Sequence, residues 1–144
     1  MKTVAQLLRD KQNQNVHTIA SEATVLEFLQ AMAEHNVGAL PVVDDGELVG
    51  IVSERDYARK IVLQGRSSVG TPVSTIMSSP VITTEPQQSI QACMSLMTDR
   101  HLRHLPVVDE GRLVGLLSIG DLVKEAIAEQ TDLIQQLERY IRGE

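Results

Sequence analysis

The sequence contains few of the residues that supply redox, metal or aromatic chemistry. Its 144 residues include one cysteine, one phenylalanine, two tyrosines and no tryptophan. A single cysteine excludes a disulfide within the chain and leaves no CxxC pair for a zinc site. With so few aromatic residues, the core is expected to be aliphatic, built from Val, Ile, Leu, Ala and Met.

Positive charge and long hydrophobic runs are also scarce. Lys and Arg number 13 against 19 Asp and Glu, a formal net charge of −6. An acidic chain without a Lys/Arg stripe repels a phosphate backbone, so we expect no nucleic-acid partner. No run approaches the roughly 18 apolar residues of a membrane span, and the opening "MKTVAQLLRDKQNQN" turns polar too early for a signal peptide. We therefore expect a cytoplasmic protein with no membrane partner.

What the chain does contain is an internal repeat. A shift of 65 positions aligns residues 16–57 with residues 81–122 without a gap, and 14 of the 42 pairs are identical. Repeated units typically need a neighbouring copy to bury an apolar face. We therefore divide the chain into a first repeat with its flanks, residues 1–70, and a second repeat, residues 71–144.

Local signals within each repeat predict the order β-α-β-β-α, a mixed α/β (α+β) fold. Thr24 and Glu27 have the spacing of a helix capping box, and "DDGE" between two apolar strands predicts a hairpin turn. Ser53 and Ser118 are expected to cap the last helix of each repeat, the second running to about Ile141. The apolar face of the helix after Thr24 is predicted to comprise Val25, Leu26, Leu29, Met32 and Ala33.

Two segments lie outside the aligned repeat. "VAQLLRD" near the N-terminus predicts a short helix. The linker "QGRSSVGTPVSTIMSSP" is rich in Gly, Ser and Pro, so we interpret it as too polar for the core, with one helical turn at "VSTIM".

The two stretches "GALPVVDDGELVGIVSERD" and "RHLPVVDEGRLVGLLSIGD" resemble the CBS domain, the module named after cystathionine β-synthase. The resemblance covers roughly residues 1–125, and "SERDYARK" with "GRSS" is similar to short, stand-alone bacterial CBS-pair proteins. It implies two repeats packed about a pseudo-twofold axis, a homodimer, and up to two clefts for adenine nucleotides. The implied ligands are AMP, ADP or ATP, with NAD possible, acting as regulators of a partner protein that the sequence does not identify.

Each repeat closes on Ser-x-x-Asp, and this pattern has two interpretations. Ser53 and Ser118 place a hydroxyl and unpaired N–H groups at a helix N-terminus, which favours an anion. Asp56 and Asp121 lie one turn further along, and the resemblance implies that they clamp the ribose hydroxyls of a nucleotide. The alternative is that each Ser–Asp pair is only a helix cap.

The resemblance also implies the remaining contacts of the two clefts. Arg103 and His104 precede the apolar strand of repeat 2, where family members often meet phosphates, whereas the equivalent Gly38 and Ala39 carry no charge. The Asp56 cleft would then take charge from Arg55, Lys60 or Arg66. For the base, the resemblance implies an edge from Val16, His17 and Thr18 and from Val81, Ile82 and Thr83, the first strand of each repeat serving the aspartate of the other. Val37 and Leu102 would press on the face of the base. Met77 and Ser78 resemble the family's approach to a site, and Pro106 is a further implied site residue.

Other readings remain beside this one. His101 and His104 have H-x-x-H spacing, but nothing completes a zinc site, and Cys93 lies among apolar helix positions as a core residue. Residues 64–68, "QGRSS", could meet a diphosphate or form a solvated loop.

The C-terminal amphipathic helix either packs back on the first helix or covers a second subunit. We expect no enzyme, and the alternative to a nucleotide sensor is an adaptor dimer with vestigial clefts.

Overall fold

The computed structural model describes residues 2–11 and 16–143. Six α-helices, two β-hairpins and one π-helical turn follow one another in that part of the chain. In chain order they are α1 (Val4–Asp10), α2 (Val25–His35), β1 (Ala39–Asp44), β2 (Glu47–Ser53), α3 (Glu54–Tyr57), the π-turn (Ala58–Val62), α4 (Val73–Ile76), α5 (Ile90–Arg100), β3 (His104–Asp109), β4 (Arg112–Ser118) and α6 (Ile119–Arg142).

The strands form two small antiparallel sheets, β1 with β2 and β3 with β4. Both hairpin turns place two consecutive residues at positive φ: Asp45 and Gly46 in the first, Glu110 and Gly111 in the second. Two positive φ angles match the right-handed twist of the paired strands, which explains why each turn ends in glycine. Mixed helices and two hairpins confirm the predicted α+β class.

The sequence "VHTI", residues 16–19, predicts the first strand of the repeat, and this prediction is wrong in extent. Of residues 16–19, Ile19 alone is paired, in a parallel bridge with Val42. The Ile19 amide donates to the Pro41 carbonyl at 3.0 Å, and the Val43 amide donates to the Ile19 carbonyl at 2.9 Å. Extending this ladder towards His17 would require an N–H from Pro41, which proline does not have.

Capping residues begin the helices where the sequence predicted. Thr24, Ser53 and Ser118 each complete a capping box with the residue three positions on.

The apolar face of α2 differs from the prediction, because Phe28 is buried with Val25 and Met32 while Leu26 and Ala33 are exposed. The bulky ring of Phe28 lies in the core, so the buried face of α2 is rotated by one residue from the predicted face.

The chain forms two compact units, each drawing on both halves of the sequence. Unit 1 comprises the described residues within Met1–Gln14, Thr84–Leu105 and Leu117–Glu144, and unit 2 those within Asn15–Thr83 and Pro106–Leu116. The buried hydrophobic residues of unit 1 are Val4, Leu7, Ile90, Cys93, Met97, Leu105, Leu117 and Leu122. The core cluster of unit 2 is Val25, Phe28, Met32, Leu40, Val42, Val52, Ile61, Val73 and Ile76.

The linker contributes to the core, which corrects the interpretation that it is too polar. Val73 and Ile76 are fully buried in the cluster of unit 2. The backbone fixes them there, since the Val25 amide donates to the Thr71 carbonyl at 2.9 Å and the Val73 amide to the Ala23 carbonyl at 2.8 Å. Hydrogen bonds to the start of α2 satisfy the polar backbone, so two apolar side chains suffice to anchor the segment.

The N-terminal segment has the same role in unit 1. The Val4 amide donates to the Gln88 carbonyl at 2.9 Å, and the Ile90 amide donates to the Lys2 carbonyl at 3.2 Å. Thus α1 is joined to the start of α5, as α4 is joined to the start of α2.

The helix α6 extends well beyond its packed part. Leu122 is buried and α6 contacts α5, whereas every residue from Gln130 to Arg142 is exposed. Within the part of the chain that the structure describes, the second half of α6 is therefore not buried against another helix. Across the described ranges, no helix combines the length and hydropathy that crossing a membrane requires.

Candidate functional site

The first Ser–Asp pair forms a closed hydrogen-bonded box at the start of α3. Oδ2 of Asp56 accepts from the Ser53 amide at 2.9 Å and from the Ser53 hydroxyl at 3.1 Å. The Asp56 amide donates to Ser53 Oγ at 3.3 Å. These bonds fix the carboxylate against the helix N-terminus and satisfy two backbone donors that would otherwise lack partners.

The second pair repeats this geometry at the start of α6. Oδ2 of Asp121 accepts from the Ser118 amide at 2.9 Å, and the Asp121 amide donates to Ser118 Oγ at 3.1 Å. The capping interpretation is therefore correct at both places. It does not oppose the ligand interpretation, because these capping bonds use Oδ2 and not Oδ1.

The segments before β1 and β3 are joined to the same helix starts by equivalent backbone bonds. The Glu54 amide donates to the Gly38 carbonyl at 3.0 Å, and the Ile119 amide donates to the Arg103 carbonyl at 2.9 Å. Asn36 and His101, two residues earlier, both adopt the left-handed conformation that ends α2 and α5. The predicted residues at these segments thus lie beside the Ser–Asp boxes in both repeats.

The cations near the two aspartates differ. Lys60, on the turn after Asp56, places Nζ 3.5 Å from Oδ1 of Asp56 and 2.9 Å from the Ile76 carbonyl, to which it donates. Position 125, equivalent to Lys60 in the second repeat, is a glutamate that pairs with Lys2 at 3.4 Å. The cation for Asp121 comes instead from Lys11, whose Nζ donates to Oδ2 at 2.9 Å.

Opposing effects act on the pKa of Asp121. Partial burial tends to raise it, but the hydrogen bond from the Ser118 amide and the bond and charge of Lys11 together hold the pKa below its ordinary value. The carboxylate is therefore ionised at neutral pH, and it is the anionic form that accepts hydrogen bonds from hydroxyl groups.

Lys11 is the residue that the sequence analysis missed. The signal was present, because "VAQLL" and "VSTIM" share apolar residues at the same spacing: Val4 and Val73, Leu7 and Ile76, Leu8 and Met77. The spacing between these segments and the aligned repeats differs, so a gapless alignment did not relate them. Treating α1 as the counterpart of α4 would have assigned the two segments equivalent places in the fold, but it would not have shown which repeat each one joins.

The predicted base-binding residues occupy varied environments. His17 is half-buried, and its ring stacks on His35 with a centroid separation of 3.5 Å and an interplanar angle of 10°. Met77 and Val37 pack against the core of unit 2, and Ser78 is bridged to Ile51. The other half-buried ones are Val16, Val81, Ile82 and Leu102; Thr18 and Thr83 are exposed, and Ala39 and Pro106 are buried.

The predicted residues divide between the two compact units. Unit 1 holds Leu102, Arg103, His104, Ser118 and Asp121. Unit 2 holds Val16, His17, Thr18, Val37, Gly38, Ala39, Ser53, Arg55, Asp56, Met77, Val81, Ile82, Thr83 and Pro106. Val81, Ile82 and Thr83 fall in the same compact unit as Asp56. That the first strand of one repeat serves the aspartate of the other remains a prediction.

The loop of residues 64–68 is partly committed to structure. The Ser68 hydroxyl donates to the Tyr57 hydroxyl at 3.4 Å, and the Ser68 carbonyl accepts from the Leu26 amide at 2.9 Å. Gln64, Gly65, Arg66 and Ser67 are exposed. The diphosphate contact remains a prediction for these exposed residues.

Cys93 is buried as a core residue, with Sγ 3.4 Å from Thr84 Oγ1. Burial raises the pKa of the Cys93 thiol, and the Thr84 contact offsets only part of that rise.

His101 ends α5, while His104 begins β3. In residues 2–11 and 16–143, no three His, Cys, Asp or Glu side chains are grouped to hold a metal ion.

Comparisons with known proteins agree with this architecture. The sequence matches the CBS domain family over residues 4–63 and 73–128. It is 44% identical over 128 residues to the mitochondrial CBS domain-containing protein CBSX3 of Arabidopsis thaliana, covering 85% of this chain and 62% of that protein. The chain thus spans less than two thirds of that relative's length.

Two solved structures are similar in fold. A CBS-domain protein from Burkholderia ambifaria superposes with a TM-score of 0.85 at 51% identity, over 90% of this chain and 96% of that one. The CBS domain pair of MJ0100, in complex with 5'-methylthioadenosine and S-adenosyl-L-methionine, gives a TM-score of 0.79 at 26% identity, over 90% and 98% of the chains. The duplicated hairpins, the paired Ser–Asp boxes and the family match lead to one conclusion: the chain belongs to the CBS domain family, as a tandem pair.

Proposed function

We propose that this CBS pair is a regulatory module that binds an adenine nucleotide (AMP, ADP, ATP or NAD) and catalyses no reaction. The observation that carries the proposal is the duplicated Ser–Asp box, with a carboxylate fixed at the start of a helix in each repeat. Such a carboxylate is already oriented before a ligand arrives, so little side-chain entropy is lost on binding.

The Asp121 site has the better chemistry for a phosphorylated ligand. Asp121 accepts from the ribose hydroxyls, while the start of the 24-residue helix α6 favours negative charge. Arg103 is exposed beside this helix start and can pair with a phosphate. Lys11 lies at the carboxylate itself and must either share Asp121 with the ligand or turn towards its phosphate.

The Asp56 site is expected to bind phosphates more weakly. Gly38 and Ala39 occupy the positions of Arg103 and His104 and bring no charge. Lys60 is held by Asp56 and by the Ile76 carbonyl, and Arg55 is exposed on the same helical turn as Asp56. We therefore propose unequal sites, with Asp121 filled at lower nucleotide concentration.

The ligands of the MJ0100 pair support an adenosine-based site. Both 5'-methylthioadenosine and S-adenosyl-L-methionine contain adenosine, the part that AMP, ATP and NAD also share. In this proposal the nucleotide biases the affinity of the homodimer for a regulated protein. Linkage then requires that protein to change the nucleotide affinity by the same factor.

Calorimetric titration with AMP, ADP, ATP, NAD and S-adenosylmethionine tests the proposal. Asp121→Asn and Asp56→Asn are suitable variants, because asparagine keeps one acceptor oxygen for the capping box but replaces the other with a donor. Asp45→Asn, in the exposed first hairpin turn, is the matched control. We expect Asp121→Asn to weaken nucleotide binding at least tenfold, while Asp45→Asn leaves it unchanged.

An adaptor without ligand is the second candidate, favoured by the ion pair between Lys11 and Asp121, which already occupies the carboxylate. In that case none of the five compounds releases heat with the parent protein. Binding that both Asp→Asn variants retain would likewise contradict the proposed ribose contacts.

A further inference from the structure

The helix α6 carries a regular stripe of residues that are all apolar except Gln130. Val123, Ile127, Gln130, Ile134, Leu137 and Ile141 follow one another at alternating intervals of four and three residues. An average spacing of about 3.5 residues is the repeat of a coiled coil, in which one helix packs along another. We define these six residues as the α6 seam.

The seam lies in water in the single chain. Ile134 is 56% exposed, Leu137 53% and Ile141 81%. Aliphatic side chains of this size lose about 1.5–3 kcal/mol each when they stay exposed instead of buried. The seam continues through Ile127 and Val123, also exposed, to the part of α6 where Leu122 is buried in unit 1.

We propose that a second copy of this chain covers the seam, and that the two α6 helices form an antiparallel coiled coil. A twofold axis near Asp132 sets Ile127 opposite Leu137 of the second copy. The same alignment sets Ile134 opposite Gln130 and Ile141 opposite Val123. Along the seam, isoleucine alternates with Val, Gln or Leu. In the antiparallel pair, each isoleucine of one copy therefore packs opposite a Val, Gln or Leu of the second copy.

Residues flanking the seam are self-complementary in this direction. On one side lie Lys124, Thr131 and Glu138, and the twofold axis places Lys124 near Glu138 of the second copy, with opposite charges. A parallel pair would instead place Glu138 beside Leu133, without a charge partner.

On the other side of the seam lie Ala126, Leu133 and Tyr140. Antiparallel packing sets the small Ala126 against the large Tyr140 and sets Leu133 against its own copy. Matching of size and charge about one axis is what an isologous dimer interface requires. This inference extends the proposed homodimer by naming its contact, and it does not depend on nucleotide binding.

Sedimentation velocity on the full chain tests whether the seam associates. Ile134→Asp places a charge in the centre of the seam at a side chain that is 56% exposed in the single chain. Gln135→Asp adds the same charge one residue away, outside the seam, and is the matched control. We expect Ile134→Asp to halve the mass of the parent assembly and Gln135→Asp to retain it. An unchanged mass for Ile134→Asp would overturn the proposal.

Disulfide trapping tests the direction of the helices, with Leu133→Cys and Leu137→Cys compared under mild oxidation. The native Cys93 is buried, so the parent protein supplies the background. The antiparallel pair brings position 133 next to its own copy and separates the two copies of position 137; a parallel pair does the reverse. We expect a covalent dimer from Leu133→Cys alone. Trapping at position 137, or at neither position, contradicts the antiparallel coiled coil.

Discussion

Lys11 and Asp121 form an ion pair at 2.9 Å, although they lie 110 positions apart in the sequence. Both side chains are largely shielded, 29% and 25% exposed. The pair joins the end of α1 to the start of α6, and it places a cation on the carboxylate that we propose as a ribose contact. The N-terminal segment is thereby part of the Asp121 site.

Replacement of Lys11 by methionine is expected to destabilise the fold in a pH-dependent way. The pKa of Asp121 is lowered in the folded state, so its ionisation stabilises the protein above the unfolded pKa and loses that effect as the pH falls through the folded pKa. Lys11→Met should cost about 1 kcal/mol at pH 7, near the upper limit for a partly exposed pair. Urea unfolding at pH 7 and in acid measures the difference, which should vanish in acid. Arg112→Met, at an exposed hairpin position, should show no such trend.

Loss of a capping hydroxyl should destabilise each repeat separately. Ser53→Ala and Ser118→Ala each remove the acceptor of an N3 amide, and a cap of this kind contributes about 1 kcal/mol. Chemical denaturation of both variants measures the loss. Ser74→Ala, on an exposed residue inside α4, should stay within experimental error of the parent protein. Equal stabilities for all three variants would show that the boxes are not structural.

Gly50 should tolerate no side chain. A Cβ built there would lie 2.5 Å from Met77 Sδ and 3.1 Å from the Ser78 carbonyl oxygen. Met77 can shift, but Ser78 is held by its bridge to Ile51, so Gly50→Ala should cost about 1–3 kcal/mol. Thermal unfolding is the measurement. Gly38→Ala is the control, because its added carbon would contact Glu54 at an ordinary 3.8 Å.

Cys93 should react with thiol reagents only after unfolding. The side chain is 1% exposed, and burial raises the pKa of its thiol, which depletes the reactive thiolate. In native buffer we expect labelling to be slower than that of a free thiol by at least a hundredfold and to follow the unfolding equilibrium in urea. Gln135→Cys provides an exposed thiol outside the α6 seam for comparison, and fast native labelling at Cys93 would contradict its buried position.

The site was only partly predictable, because its parts depend on different distances along the chain. Each capping box joins residues only three positions apart, Ser53 with Asp56 and Ser118 with Asp121. A pattern this local can be recognised from the sequence alone. Lys11 reaches Asp121 across most of the chain, and no local pattern encodes such a contact. The sequence could have predicted that residues 16–18 form no strand, because Pro41 has no N–H to donate the next hydrogen bond of the ladder.

The sequence by itself determined the duplicated β-hairpins, the capped helix starts and the α+β class. These features follow from periodicity, turn chemistry and hydrogen bonds between residues a few positions apart. Only the tertiary structure decided that α1 joins the second repeat and α4 the first, that Val73 and Ile76 enter a core, and that two equivalent aspartates have different cations. Those outcomes depend on which apolar surfaces meet when the chain folds, and burial is a property of the assembled chain rather than of any segment.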